Sequence, residues 1–211
     1  HRSVSRGLGD VYKRQDYNTQ KRYQGQRDIP LSTRGREALC QADLSPDVVY
    51  VSPMTRARQT ARILFPQAEQ IVVPGLREMD FGTFEGRNYI EMENDPDYRA
   101  WVASNCESAC PDGERKEDFC RRSCAVFAKL VDDAFAAGRE QLVILAHGGT
   151  QMSVMERFAL PRKEYHAWLG PNAGGYILEA DPAVWAREHT LQCLAQVQYT
   201  KDARRAGEAG C

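Results

Sequence analysis

The stretch Gln141-Leu-Val-Ile-Leu-Ala-His-Gly-Gly-Thr150 decides the reading of the fold. Residues 141–146 are nearly all apolar, the mark of a strand covered on both faces, as strands of a parallel sheet are. His147-Gly148-Gly149 ends the run, and a helix from about Thr150 to Leu160 follows, bounded by Pro161. The same order recurs upstream. Asp47-Val-Val-Tyr-Val51 is a short apolar run that stops at Ser52-Pro53, and Met54 to Phe65 carries Ala57, Ala61, Ile63 and Leu64 among arginines before Pro66. Further strands are expected at Gln70 to Val73, Tyr176 to Leu178 and Leu191 to Tyr199. Phe119, Cys120, Cys124, Phe127, Leu130, Val131, Ala134 and Phe135 share one face at 3.6-residue spacing, with Gly138 as the stop, which predicts a long amphipathic helix. Strands alternating with helices predict an α/β fold, a three-layer α/β/α sandwich with a mostly parallel central sheet and ligand chemistry at the carboxyl ends of its strands. Residues 87–115, polar and aromatic with Tyr89, Tyr98 and Trp101, are expected to form an inserted helical cap over that edge.

The chain of 211 residues suits one domain, from Asp16 to about residue 205 with the cap inserted and a short tail at 206–211. Its 28 Lys and Arg against 29 Asp and Glu leave a net charge of −1, so no global positive field exists to hold a nucleic acid. No apolar run approaches the roughly 18 residues of a membrane span, and no apolar signal core opens the chain, so cytoplasm is the expected compartment. Seven cysteines at irregular spacings (40, 106, 110, 120, 124, 193 and 211) are expected to be reduced thiols. Four histidines (1, 147, 166 and 189) show no ligand-like spacing, so neither a metal nor a cofactor is expected.

Residues 1–15 follow neither a strand nor a helix period. Ser5 to Gln15, S-R-G-L-G-D-V-Y-K-R-Q, resembles the translation of a transposon-type sequencing adapter, so residues 1–15 are read as non-native and set aside from the fold. The alternative is a natural basic arm.

Three segments carry chemistry. The glycines after His147 let backbone amides approach an anion, and a helix N-terminus favours negative charge there. Ser52-Pro-Met-Thr-Arg56 also leaves a strand and opens a helix, placing Arg56 at the same sheet edge, where a guanidinium can fork onto phosphate oxygens. Arg58 and Arg62 fit a solvated helix face better. Leu76 to Gly86, L-R-E-M-D-F-G-T-F-E-G, mixes acids with apolar residues. A carboxyl group partly buried beside phosphate is pushed toward its protonated form, as a general acid for an alkoxide leaving group requires, but position alone does not choose among Glu78, Asp80 and Glu85.

R-Y-Q-G-Q-R-D-I-P-L-S (22–32), S-P-M-T-R-A-R-Q-T-A (52–61), L-R-E-M-D-F-G-T-F-E-G (76–86), C-P-D-G-E (110–114) and A-H-G-G (146–149), in that order, resemble the motifs of the histidine phosphatase, or phosphoglycerate mutase-like, superfamily. The resemblance spans Asp16 to about Tyr199 and is closest to the small-molecule phosphatases, α-ribazole phosphatases among them. The mutases usually carry tyrosine where this chain has Phe81. The resemblance implies metal-free phosphoryl transfer through a phosphohistidine, on a small phosphorylated substrate. Two arginines and a second histidine hold the phosphoryl oxygens, and a glutamate serves as acid and then base. By position it makes Arg56 the second phosphate arginine, Glu78 the general acid/base and His147 the second histidine. It places Asn18 on phosphate, Gln24 and Gly25 at the entrance, and Gly148 among the substrate-binding residues.

The superfamily's Arg-His-Gly-x-Thr should occupy residues 11–15, where this chain has Val11-Tyr12-Lys13-Arg14-Gln15. Tyr12 stands in the nucleophile's place and Val11 in the first arginine's, and the strand just upstream is expected to be lost. The expectation is an active natural phosphomonoester hydrolase and an inactive chain as written. A phosphoglycerate mutase, or a pseudoenzyme that binds phosphorylated ligands or a partner without turnover, are the alternatives.

Overall fold

A computed structural model describes residues 21–171 and 173–206. Asn18, the segment 1–15 with the expected loss of its strand, and all but the first residue of the tail lie outside them.

The apolar run 47–51 forms β1 (Val48–Val51), in which Val49 and Val51 are fully buried. Helix α2 (Thr55–Leu64) returns the chain to β2 (Glu69–Val72), after a short α1 (Thr33–Ala38). Ala57, Ala61 and Leu64 of α2 bury their apolar side against β1, together with Leu31, Leu39 and Phe65. A long connection then carries α3 (Pro96–Ala103) and α4 (Lys116–Ala136) before the chain re-enters the sheet at β3 (Ile144–Leu145). Strands β2, β1 and β3 are parallel in that spatial order, with Tyr50 opposite Ile144 and Val51 opposite Leu145. Helix α5 (Gly148–Phe158) follows at once and leads to β4 (Ala159–Leu160). The chain closes with β5 (Gly174–Glu179), α6 (Pro182–Glu188), β6 (Leu191–Gln198) and α7 (Lys201–Ala206). Here β6 pairs with β4 in parallel and with β5 antiparallel. The α/β class is as expected.

The apolar stretch 141–146 departs from the reading given above. Only Ile144 and Leu145 carry strand hydrogen bonding, and residues 142–146 are partly rather than fully buried. Among the described residues the strands pair as β2-β1-β3 and β4-β6-β5, and every pairing except β5 with β6 is parallel, so the mostly parallel sheet is as expected. Among the described residues β3 pairs only with β1, and residues of both β3 and β5 line a cavity of about 1930 Å³.

The segment 87–115 sits on the F-G-T-F-E-G turn. Asp95 caps α3 by accepting from the Asp97 and Tyr98 amides. Tyr98 and Trp101 bury themselves against Phe81, Phe84 and Phe119, with ring centroids 5.5 Å apart for both Phe84 to Tyr98 and Phe84 to Trp101.

One cysteine departs from expectation. Cys106, Cys110, Cys120, Cys124 and Cys193 are free thiols, but Cys40 is disulfide-bonded. Residue spacing carried no sign of that pairing. No helix among the described residues is long and apolar enough to cross a membrane.

Candidate active site

Because β1 and β3 are adjacent and parallel, the residues that leave them emerge side by side. The Ser52 amide donates to the Leu145 carbonyl (3.0 Å), and the buried Ser52 hydroxyl lies 2.7 Å from His147 Nε2. Nothing in the residue pattern marks Ser52; the β1–β3 pairing places it beside the histidine. Burial, with Arg56 and Arg122 nearby, holds His147 well below its ordinary pKa, so the ring is neutral around pH 7.

Arg56 stands in the first turn of α2, only 9% exposed. Its Nη1 donates to the Arg27 carbonyl and its Nη2 to the Gly25 carbonyl, each at 2.7 Å. Among the described residues no carboxylate lies within ion-pairing distance of it. The helix start is fixed by Asp28, whose carboxylate accepts from the Thr55 amide (2.6 Å) and hydroxyl (2.8 Å), since Met54 offers no capping side chain. Sequence reasoning missed that cap, although the aspartate lies in the quoted R-D-I-P.

Glu78 is buried in the same cavity. Its carboxylate accepts from the Met79 amide (2.9 Å) and, from the first turn of α5, the Gly149 amide (3.3 Å). Burial raises its pKa, against the opposing pull of those amides, Arg56 and Arg122. Geometry now separates the three acids. Asp80 accepts from the Gly82 amide at 2.9 Å and so shapes the turn. Glu85 accepts from the Gln26 (2.6 Å) and Phe81 (3.3 Å) amides and so joins two loops. Gly25 owes its identity to that junction: its φ is +50°, and a Cβ there would lie 1.9 Å from Glu85 Oε1.

Gln24, Gly25, Arg56, Glu78, His147 and Gly148 thus all line the one cavity, while Asn18 lies outside the described residues. The arrangement offers a buried cation, two helix N-termini and a buried carboxyl group whose proton is held tightly, the ingredients for binding an anion and protonating what leaves it.

The sequence pattern of the histidine phosphatase superfamily (branch 1) matches residues 14–191. The chain belongs to that superfamily. Among curated relatives of this histidine phosphatase chain, a 2,3-bisphosphoglycerate-dependent phosphoglycerate mutase 2 from Gloeobacter violaceus is 31% identical over 152 residues, 66% of this chain and 68% of the relative. A glucosyl-3-phosphoglycerate phosphatase from Mycolicibacterium vanbaalenii is 34% identical over 146 residues, 64% and 65% of the two chains. Among solved structures, the α-ribazole phosphatase from Shigella flexneri superposes with a TM-score of 0.58 at 27% identity, covering 71% of this chain and 75% of that one. The relatives of this superfamily member are phosphatases and mutases.

Proposed function

We propose that the natural protein is a phosphomonoester hydrolase acting on small phosphorylated metabolites through a phosphohistidine intermediate. The observation that carries the reading is Arg56: a guanidinium buried with two carbonyls as its only hydrogen-bond partners among the described residues, in a cavity shared with His147 and the Glu78 carboxyl. An isolated buried charge costs several kcal/mol, and an anion in the cavity offsets that cost. Arg56, His147 and the Gly148 amide hold the phosphoryl oxygens, with Asn18 beside them and Gln24 and Gly25 at the entrance. Glu78 gives its proton to the leaving alkoxide as the nucleophile's P–N bond forms and the P–O bond breaks. As a carboxylate it then takes a proton from water as the water's P–O bond forms and the P–N bond breaks, which releases phosphate and frees the nucleophile.

The nucleophile belongs to the segment before Asp16, where Tyr12 and Val11 stand in place of histidine and arginine. Residues 1–15 are non-native in this reading, and the chain as written does not turn over. Tyr12→His alone is expected to give no turnover, because Val11 and Lys13 leave the phosphate one arginine and one close backbone approach short. Replacing residues 1–15 with methionine, an apolar strand and Arg-His-Gly-Glu-Thr is expected to give a phosphatase. Hydrolysis by that protein should survive EDTA; activity lost to EDTA and restored by zinc or magnesium would overturn the metal-independent part. The Gloeobacter relative favours a mutase as the second reading, which isomerisation of 3-phosphoglycerate without phosphate release would establish.

A further inference from the structure

Arg122 lies on α4, far in sequence from every motif segment that lines the cavity, yet all five of its N–H donors are turned toward the backbone around Glu78 or its clasp. Nη1 donates to the carbonyls of Gly75 (2.8 Å) and Arg77 (3.0 Å), and Nη2 reaches the Glu78 carbonyl at 3.4 Å. Nε and Nη2 hold the Glu114 carboxylate at 3.1, 2.9 and 2.8 Å. Glu114 extends the clasp to the far side of Glu78: its carboxylate accepts from the Asp80 amide (2.9 Å), and its own amide donates to the Asp80 carbonyl (2.8 Å). The guanidinium also lies 5.3 Å above the ring of Phe119, and that ring packs where a Gly149 Cβ would be. The backbone is therefore tied at 75, 77, 78 and 80, on both sides of Glu78, which lines the cavity.

We propose that Arg122, clasped to Glu114, is the positioning residue that fixes the 75–80 backbone and so aims the Glu78 carboxyl into the cavity, against the Gly149 amide. A lysine, with a single ammonium and three donors, cannot hold three carbonyls and a carboxylate in that fork. The functional consequence rests on Glu78 being the proton donor proposed above, but the geometry is testable without turnover.

The test is an amide NMR pH titration of the isotope-labelled full chain. The charged or titratable groups around Glu78 are Arg56 from α2, Arg122 from α4, His147 at the start of α5 and Tyr165 from the turn after β4. Glu78→Gln identifies the part of the Gly149 amide displacement that belongs to Glu78. In both Arg122→Met and Arg122→Lys that part is expected to fall by more than half, whereas Arg121→Met, one residue away and paired only with exposed Asp118, leaves it intact. Full displacement in folded Arg122→Lys would overturn the proposal, because charge alone would then suffice. Should Arg122→Met not fold, the lysine variant decides. Absence of phosphomonoester hydrolysis in the restored enzyme would remove the reaction from Glu78 without touching this readout.

Discussion

Arg56 is a buried cation that meets no carboxylate within ion-pairing distance among the described residues. Hydrogen bonds from a charged group contribute about 1.5–3 kcal/mol, so Arg56→Met should weaken orthovanadate or phosphate binding at least about tenfold by calorimetry. Unchanged affinity would remove the residue from the site. The neighbouring glycines give opposite outcomes. A Cβ at Gly148 meets open space, whereas one at Gly149 would lie 2.5 Å from Glu78 Oε1 and 3.1 Å from Phe119. Gly148→Ala should therefore be neutral or stabilising by up to about 1 kcal/mol in urea denaturation. Gly149→Ala should cost about 1–3 kcal/mol. Equal effects would show that the α5 start does not press on Glu78 as described. The placement of Arg56 and His147 at one sheet edge was legible in the sequence because each follows a short apolar strand and opens a helix. Ser52 and Arg122 were not, because the first needs the β1–β3 pairing and the second acts across 44 residues of chain on backbone carbonyls.

Helix starts set the site, and they can be tested as elements. Asp28 caps α2 from outside the helix, so Asp28→Ala should cost about 0.5–2 kcal/mol, the usual worth of such a cap, and blunt the Arg56 contribution to phosphate binding. At the start of α5, His147 is neutral in the folded protein with a pKa below its ordinary 6.5, while the unfolded chain takes up a proton as pH falls through that value. Folding there releases a proton, so stability is lost on acidification below pH 6.5, and His147→Gln should flatten the loss between pH 7 and 5. A midpoint denaturant concentration equally pH-dependent in both proteins would refute the burial of a neutral ring. Glu78 has the opposite sign: its folded pKa is raised above the ordinary 4.5, so its contribution is fullest below pH 4.5 and is lost as pH rises through the folded value. The helices α2 and α4 were readable within a few residues from apolar spacing. Helix α5 begins at Gly148, two residues ahead of the expected Thr150, and its Gly149 amide donates to Glu78 from the first turn.

At the scale of the whole molecule, residues of β3 and β5 share one cavity with Arg56, Glu78 and His147, and the segment 87–115 packs its aromatic residues against the 79–84 turn. The β-α alternation made the class of fold readable, since short apolar runs followed by helices have few other uses. The partial burial of 142–146 was not readable, because periodicity reports a residue's own polarity and not whether a neighbour lies on the far edge. The disulfide at Cys40 was unreadable for the same reason. The decisive measurement is acid-labile phosphate trapping: the protein with residues 1–15 replaced by an apolar strand and Arg-His-Gly-Glu-Thr is quenched during turnover of a radiolabelled phosphomonoester. Label on histidine in that protein, absent from the chain as written and from the same protein carrying Arg56→Met, is the predicted result. A folded replacement protein that neither hydrolyses phosphomonoesters nor takes up label, or one whose label is acid-stable, would contradict it.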